Sequence, residues 1–328
     1  MNVVFFHRKR FDGAYSIEAL FDNIRKKLPS TISYKVIVLK YLSQGFFNRL
    51  YIIFEAAFNQ GDVNHITGDV HFIALLLNKK RTILTIHDTG FMSHPKPIER
   101  FLLEWFWLIL PISRCGVITV VSEATKASIL EVTKKWISPN IHVIYNPIGE
   151  KFIRSERRFK AEEPVILQIG AKPNKNLVRL IEAIAQIKCK LIIVGSLSEK
   201  ILTVLKTNGT NYQSYINLSD SEIVEKYEQA DIVSFISINE GFGLPIVEAN
   251  AIGRVVVTSN ISSMPEIAGN AAHFVDPFNI NSIREGFLKV IKDDRYRDQL
   301  IENGFLNRER FDISKIAAQY SSLYQSLV

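Results

Sequence analysis

Short apolar runs alternate with amphipathic stretches along the first half of the chain. The runs are rich in Val, Ile and Leu, as buried parallel strands are, and the stretches repeat apolar residues every three or four positions, as surface helices do. This alternation indicates βαβ crossovers in a parallel sheet. The predicted strands are residues 3–6, 34–39, 62–66, 82–86, 117–121 and 141–145, and the predicted helices are 15–27, 46–58, 97–110 and 123–135.

A charged segment without apolar periodicity, residues 150–163, separates this half from a second α/β series. We therefore predict one domain over residues 1–153, a second over 154–310 and a terminal helix over 311–328. Doubly wound sheets bind ligands at the carboxyl ends of their strands, so the cleft between two such edges is the expected site. The second series consists of strands 165–169, 190–194, 214–216, 232–236, 255–258 and 272–275 and of helices 177–187, 221–229, 282–291, 294–308 and 313–326.

One strand, loop and helix unit, residues 231–253, carries the most informative chemistry. Its glycine-containing turn, Glu-Gly-Phe-Gly at 240–243, lies between a β-branched strand and a helical stretch. Pro245 suits the first turn of that helix, and Gly253 suits its left-handed closing residue. Glycines let the backbone approach a ligand, and the free N–H groups of a helix N-terminus favour an anion such as a diphosphate.

Two carboxylates flank this turn, Glu240 before the glycines and Glu248 within the helix. A carboxylate in a crevice needs hydrogen-bond donors, and sugar hydroxyls are good ones. A tight glycine turn or a glutamate near a helix N-terminus has an ordinary structural explanation when it occurs alone. Their combination favours a ligand that carries both phosphates and hydroxyls.

Composition places the chain among two-domain globular proteins. It has 328 residues, 47% hydrophobic and 22% charged, which suits two domains with a core each. The basic residues at 7–10 follow the first apolar run, which is the wrong order for a secretion signal, and the apolar run at 105–112 is far too short to span a membrane. Cys115 and Cys189 lie in different halves, which argues against a disulfide framework or a thiolate metal site and predicts a cytoplasmic protein.

Positive charge is concentrated in the N-terminal half. Residues 1–155 contain 20 Lys and Arg against 12 Asp and Glu, whereas the remaining residues contain 20 against 21. Such asymmetry indicates an anionic membrane surface, a phosphate-bearing substrate or nucleic acid, and the absence of any nucleic-acid-binding signature argues against the last. The aromatic and basic stretches 46–51 and 100–107 fit either a buried core with solvated charges or peripheral contact with an anionic membrane.

The order and spacing of several segments resemble retaining glycosyltransferases of the GT-B fold, specifically family 4, also described as glycosyl transferases group 1. The resemblance implies two Rossmann-like doubly wound α/β domains that face each other across a cleft, with the C-terminal helix returning towards the N-terminal domain. The C-terminal half carries the specific motifs, at 167–170, 173–177, 225–231, 240–245, 248–249 and 265–266. Looser similarity covers 13–18, 62–65, 85–88, 119–122 and 144–147.

The resemblance assigns roles to the two glutamates and to the turn between them. It implies that Glu240 is a catalytic residue that meets the sugar hydroxyls of the donor, and that Glu248 accepts hydrogen bonds from the ribose. The backbone amides expected beside the donor belong to Gly241, Phe242, Gly243 and Leu244.

The resemblance also implies contacts with the phosphates and with the reacting sugar. Lys175 would bind the donor diphosphate and offset charge on the leaving group. Lys172 is the nearest cation to the place where family members often have a second diphosphate-binding arginine. Gly13 would let the backbone of the first loop approach the phosphates, and His87 would hydrogen-bond the reacting sugar or the acceptor.

The function implied is metal-independent transfer of a sugar from a UDP- or GDP-linked donor to a glycan or lipid-linked glycan, at the inner face of the cell membrane, in bacterial surface polysaccharide assembly. Neither a cofactor nor a metal is expected, because the sequence lacks Asp-x-Asp and clusters with ligand spacing. Two alternatives stay open: a nucleotide-sugar epimerase or phosphorylase on the same fold, and a non-catalytic nucleotide-sugar binding partner. A dehydrogenase is disfavoured because neither first strand is followed by Gly-x-Gly-x-x-Gly.

Overall fold

The computed structural model describes residues 1–9, 16–90 and 96–328. These residues form two compact units: the first unit is Met1–Pro147 together with Ile313–Val328, and the second unit is Ile148–Asp312. Within the described part of the chain, each unit contains a six-stranded parallel sheet flanked by helices. This arrangement confirms the predicted pair of doubly wound α/β domains.

The first unit alternates strands and helices from the N-terminus. Its described elements are β1 Asn2–His7, α1 Ser16–Lys26, β2 Ser33–Val38, α2 Phe46–Ala57, β3 Val63–Ile66, β4 Thr82–Ile86, α3 Pro97–Leu103, α4 Leu110–Ser113, β5 Val117–Val120, α5 Glu123–Thr133, β6 Ile141–Val143 and α13 Ile313–Gln325. The strand order is β2-β1-β3-β4-β5-β6, and every pairing is parallel.

Alternate residues of β1 show how both faces of this sheet are buried. Val3 and Phe5 point into a cluster closed by α1 and α13, whereas Val4 and Phe6 point into a cluster closed by α2 and α5. A strand covered on both faces must be apolar throughout, which is why the sequence shows continuous apolar runs.

Helix α13 is part of the core of the first unit. The hydroxyl of its buried Tyr324 lies 2.8 Å from Nδ1 of His65, a fully buried residue of β3. Nε2 of His65 lies 2.7 Å from the hydroxyl of Thr85, and this hydroxyl lies 2.6 Å from the hydroxyl of Thr119. Burial lowers the pKa of His65 well below its ordinary value, so the ring is neutral within this polar chain.

The predicted helix 97–110 is helical throughout and continues to Ser113, but a π-helical segment, Glu104–Ile109, lies between α3 and α4. Pro111 has no N–H to donate to the carbonyl of Trp107 four residues earlier. Nδ1 of the buried His71 donates to that carbonyl instead, at 2.8 Å. A wider helical turn ahead of the proline accommodates this outside donor.

The second unit begins with its central strand. Its elements are β7 Val165–Ile169, α6 Leu177–Ile184, β8 Lys190–Val194, α7 Glu199–Thr207, β9 Tyr212–Tyr215, α8 Asp220–Gln229, β10 Ile232–Phe235, α9 Leu244–Ile252, β11 Val255–Ser259, α10 Met264–Ala268, β12 His273–Val275, α11 Ile280–Lys292 and α12 Asp294–Asn307. The parallel strands follow the order β12-β11-β10-β7-β8-β9. This is the order of dinucleotide-binding doubly wound sheets.

Candidate functional site

The sheet of the second unit changes direction between β7 and β10. The chain adds β8 and β9 on one side of β7 and then returns to place β10 on the other side. Loops that leave two such strands diverge and open a crevice at the carboxyl edge, where doubly wound sheets bind ligands. The loop after β7 carries Lys172 and Lys175, and the loop after β10 carries Glu240 and Gly243.

Lys175 and Glu240 meet at this crevice. Nζ of Lys175 donates to Oε1 of Glu240 at 2.7 Å, and the two side chains are only 19% and 15% exposed. Nδ2 of Asn174 donates to the same oxygen at 3.1 Å and to the carbonyl of Asn239. The ammonium also lies 4.8 Å from the ring centre of Phe235. The crevice therefore contains a cation and a carboxylate side by side, and both are largely shielded from water.

Two serines hold the backbone of Glu240. The Ser262 hydroxyl accepts from the amide of Glu240 at 3.2 Å and donates to its carbonyl at 2.8 Å. The buried hydroxyl of Ser263 donates to the carbonyl of Phe242 at 2.6 Å. Ser262 has a left-handed φ of 58°, which residues with a side chain rarely adopt. The backbone at Ser262 is therefore strained, and its two hydrogen bonds to Glu240 form in spite of that strain.

Gly243 makes the close turn into α9 possible. It has φ 117° and ψ 47°, and a Cβ at this position would lie 3.2 Å from Cδ1 of Ile246 and 3.3 Å from Cε1 of Phe235. Among the described residues, α9 has no side-chain N-cap. Pro245 has no N–H and the amide of Ile246 donates to the carbonyl of Gly243 at 3.0 Å, so the amides of Gly243 and Leu244 are the ones placed to favour an anion. The Phe242 ring packs edge-to-face on Phe311 with ring centroids 5.6 Å apart, so its side chain is buried beside the turn.

Glu248 lies one turn into α9 and is held by a residue to which the sequence assigned no role. The hydroxyl of Tyr227, on α8, donates to Oε2 of Glu248 at 2.5 Å. Burial raises the pKa of Glu248, while this hydrogen bond and the charge of Lys151 act in the opposite direction. Tyr227 lies within the quoted motif 225–231, but nothing in the sequence shows that it reaches Glu248.

The remaining predicted residues have different surroundings. Lys172 is exposed and forms no ion pair with any residue in the described ranges. Gly13 lies outside the described residues. Leu244 is the partly buried first residue of α9.

His87, which follows β4 in the first unit, is half-buried, and its Nε2 donates to the carbonyl of Thr67 at 3.0 Å. Burial lowers the pKa of His87, so the ring is neutral and Nδ1 is an acceptor. The hydrogen bond that the sequence predicts between His87 and a sugar hydroxyl would therefore be accepted by Nδ1.

Neither a metal-binding cluster nor a membrane-spanning helix is found in the described part of the chain. No group of three or more His, Cys, Asp and Glu side chains is placed to hold a metal ion there. No helix in those same ranges has the length and apolar character needed to cross a membrane.

Sequence comparisons connect this site with known proteins. Residues 149–306 match the family model described as glycosyl transferases group 1. O-antigen chain mannosyltransferase B of Escherichia coli is 26% identical over 275 residues, covering 76% of this chain and 71% of that protein. O-antigen chain mannosyltransferase RfbU of Salmonella typhimurium is 29% identical over 218 residues, covering 63% of this chain and 59% of that protein. The chain thus spans less than two thirds of the second relative.

Solved structures share the architecture over nearly the whole chain. Anabaena Alr3699/HepE, solved in complex with UDP and glucose, aligns with a TM-score of 0.80 at 16% identity, covering 99% of this chain and 100% of that one. WaaG, a glycosyltransferase involved in lipopolysaccharide biosynthesis, aligns with a TM-score of 0.73 at 13% identity, covering 99% of each chain. At these identities the likeness establishes the fold.

Proposed function

We propose that this chain, which is a group 1 glycosyltransferase with the GT-B fold, moves a mannosyl residue from a nucleoside diphosphate donor to a glycan hydroxyl with retention. The observation that carries the proposal is the Lys175–Glu240 pair at the crevice beside the N-terminus of α9. A cation, helix amides and a carboxylate together suit a ligand with phosphates at one end and hydroxyls at the other. The names of the two O-antigen relatives support mannose and surface polysaccharide assembly.

The proposed reaction exchanges one bond at the anomeric carbon for another. The bond to the diphosphate oxygen breaks, and the acceptor oxygen bonds to the same face of that carbon. The acceptor's proton passes to the departing diphosphate, which leaves as the nucleoside diphosphate. This proton transfer is proposed because the resemblance implies retention without a separate protein base.

Each site residue has a role in this scheme. Lys175 and the amides that begin α9 stabilise the charge that develops on the leaving diphosphate. Glu240 accepts hydrogen bonds from the sugar hydroxyls, and its pairing with Lys175 offsets repulsion from the phosphates. Glu248 accepts from the ribose, and His87 accepts from a hydroxyl of the sugar or acceptor through Nδ1. Lys172, which is exposed, supplies a second cation for the diphosphate. No metal or cofactor is required in this proposal.

A thermal-shift panel tests the donor site. UDP, GDP, UDP-glucose, UDP-N-acetylglucosamine and GDP-mannose are each added to the wild-type protein and to a Lys175→Met variant. A ligand that binds only the folded state raises Tm, so we expect a rise of several degrees with one nucleotide series, strongest with its mannose conjugate, and a smaller rise in the variant.

The outcomes separate the alternatives. No shift with any of these compounds would refute the donor site. Conversion of a donor to its epimer without an acceptor would identify an epimerase instead. A clear shift, combined with normal glycan assembly in cells that carry only the Lys175→Met variant, would identify a non-catalytic nucleotide-sugar binding protein.

We also propose that the first unit contacts an anionic membrane where a lipid-linked acceptor is presented. The proposal rests on an apolar face, defined as Phe46, Phe47, Leu50, Tyr51 and Phe54 of α2 and Phe58 directly after it, all of which are exposed. Phe47 and Phe58 are 82% and 85% exposed, whereas Ile52 on the opposite side of α2 is fully buried. The ammonium of Lys40 lies 5.5 Å from the ring centre of Tyr51, so a cation adjoins this surface. Interfacial helices combine aromatic and basic side chains in this way.

Vesicle co-sedimentation tests this surface. We expect binding to vesicles that contain phosphatidylglycerol, weaker binding to pure phosphatidylcholine, and at least about a tenfold loss in a Phe47→Glu, Phe58→Glu double variant. The matched control is Phe278→Glu, since Phe278 is a 57% exposed phenylalanine of the second unit. Equal sedimentation of the wild type and the double variant would refute membrane contact. A dimer that only the wild type forms, without vesicle binding, would make the face a protein interface.

A further inference from the structure

Tyr227 and Glu248 form a pair in which only one carboxylate oxygen is used. The Tyr227 side chain is fully buried, and its hydroxyl donates to Oε2 of Glu248. Oε1 of the same carboxylate has no hydrogen-bond partner among the residues that the structure describes. An ionised carboxylate has about four acceptor sites, so one oxygen is held and the other is left to accept.

We propose that Tyr227 is a positioning residue for the donor nucleotide, fixing Glu248 so that Oε1 accepts from the ribose hydroxyls. This inference rests on the proposed function, because it takes Glu248 as the ribose acceptor. It adds a residue on a different helix, α8, whose action on the nucleotide passes through Glu248.

The surroundings of Tyr227 keep its ring in one place. Its ring packs edge-to-face on Phe152 with centroids 5.5 Å apart. The guanidinium of Arg254, itself 3% exposed, donates to the carbonyls of Tyr227 and Glu228 at 3.1 Å each and to that of Ser155 at 2.7 Å. The C-terminal end of α8 is thereby tied to Arg254, the second residue after α9. Because the Tyr227 ring is held in this way, its hydroxyl stays in one position and restricts the movement of the Glu248 carboxylate.

The acceptor of the Tyr227 hydroxyl is a carboxylate, and this favours a positioning role over a contact that only satisfies a buried hydroxyl. A neutral carbonyl would satisfy the Tyr227 hydroxyl at a lower desolvation cost than a carboxylate does. Burial raises the pKa of Glu248, and the charge of Asp220 raises it further. The hydrogen bond from Tyr227 and the charges of Lys151 and Lys175 lower it. Tyr227 therefore both orients the carboxylate and favours its ionised form.

A double-mutant cycle with Tyr227→Phe and Glu248→Gln tests the proposal. Binding of UDP and of GDP is measured by titration calorimetry across pH, and kcat and KM are measured with the donor. We expect Tyr227→Phe to weaken binding of the nucleotide that the wild type binds by about tenfold and to raise the donor KM more than it lowers kcat. In the Glu248→Gln background we expect the same change to have a smaller effect, because the carboxylate through which Tyr227 acts has been removed.

The pH dependence supplies a readout that a purely structural role would not move. Protonation of Glu248 removes an acceptor, so affinity falls as pH falls through its pKa. Without the Tyr227 hydroxyl this pKa is higher, and we expect the loss of affinity to set in at higher pH in Tyr227→Phe.

Tyr296→Phe is the matched control in the same unit. It removes a hydroxyl that lies 2.9 Å from Nδ1 of His273, and nucleotide binding is expected to be unchanged. If Tyr227→Phe does not fold, Tyr227→Met provides a second apolar variant without the hydroxyl. Additive losses in the cycle, or an unshifted pH profile, overturn the positioning role alone. A wild-type protein that binds neither UDP nor GDP overturns the proposed function instead.

Discussion

Replacing Lys175 with methionine is expected to lower kcat/KM for the donor by at least about 100-fold, mainly through kcat. The variant removes the cation that we propose stabilises charge on the departing diphosphate, and losses of this size are typical when one such charge-stabilising group is removed. It also leaves Glu240, 15% exposed, without its 2.7 Å ion-pair partner. The measurement is steady-state nucleotide release with the acceptor that the wild-type enzyme uses.

Lys206→Met is the matched control, because Lys206 is an exposed lysine in the last turn of α7. Its kcat/KM is expected to equal that of the wild type.

Glu240→Gln should also be severely impaired, because it keeps the shape of the side chain but loses the charge that is proposed to accept from the sugar and that pairs with Lys175. A Lys175→Met enzyme within threefold of the wild type would remove Lys175 from the catalytic machinery.

Replacing Asp231 with alanine is expected to cost about 3 kcal/mol of unfolding free energy. Its fully buried carboxylate accepts from Nε of Arg157 at 2.7 Å and from the amide of Val165, the first residue of β7, at 2.8 Å. Removing one partner of a buried pair leaves the other partner and the amide unsatisfied. The loss corresponds to a fall in Tm of about 6–12 °C for a unit of this size, measured by calorimetry.

Asp220→Ala provides the exposed counterpart. Asp220 pairs with Lys151 at 2.6 Å, but its side chain is 82% exposed, so water replaces the partner when it is removed. The expected cost is below about 1 kcal/mol, because exposed pairs contribute little. Equal costs for the two substitutions would show that burial does not set the strength of the Asp231 pair.

Much of the fold follows from apolar periodicity. Strands 82–86 and 165–169 have the predicted bounds, because the first apolar run lies between Arg81 and His87 and the second between Pro164 and Gly170. The interruption of helix 97–110 was not predicted, since it depends on a hydrogen bond from His71, a residue distant in sequence. Local propensity contains no information about such a partner.

The sequence likewise predicted some residues of the candidate site and missed others. Glu240, Lys175 and Glu248 were identified by their motif, and the structure adds the 2.7 Å contact between the first two. Tyr227 and Ser262 were not assigned roles, because a tyrosine in a helix and a serine before a short helix are ordinary residues until their partners are known. What they do depends on strand order, which brings α8 and the loop after β11 beside the glutamates.

The inclusion of α13 in the first unit sets an order of folding during synthesis. The second unit is continuous from Ile148 to Asp312, so all of its residues have been made before α13 exists. The first unit has its sheet earlier but lacks the helix that covers Phe5 and His65. The domain made first on the ribosome therefore cannot complete its core until the second unit has been made, and until then one face of its sheet lacks the helix that covers it.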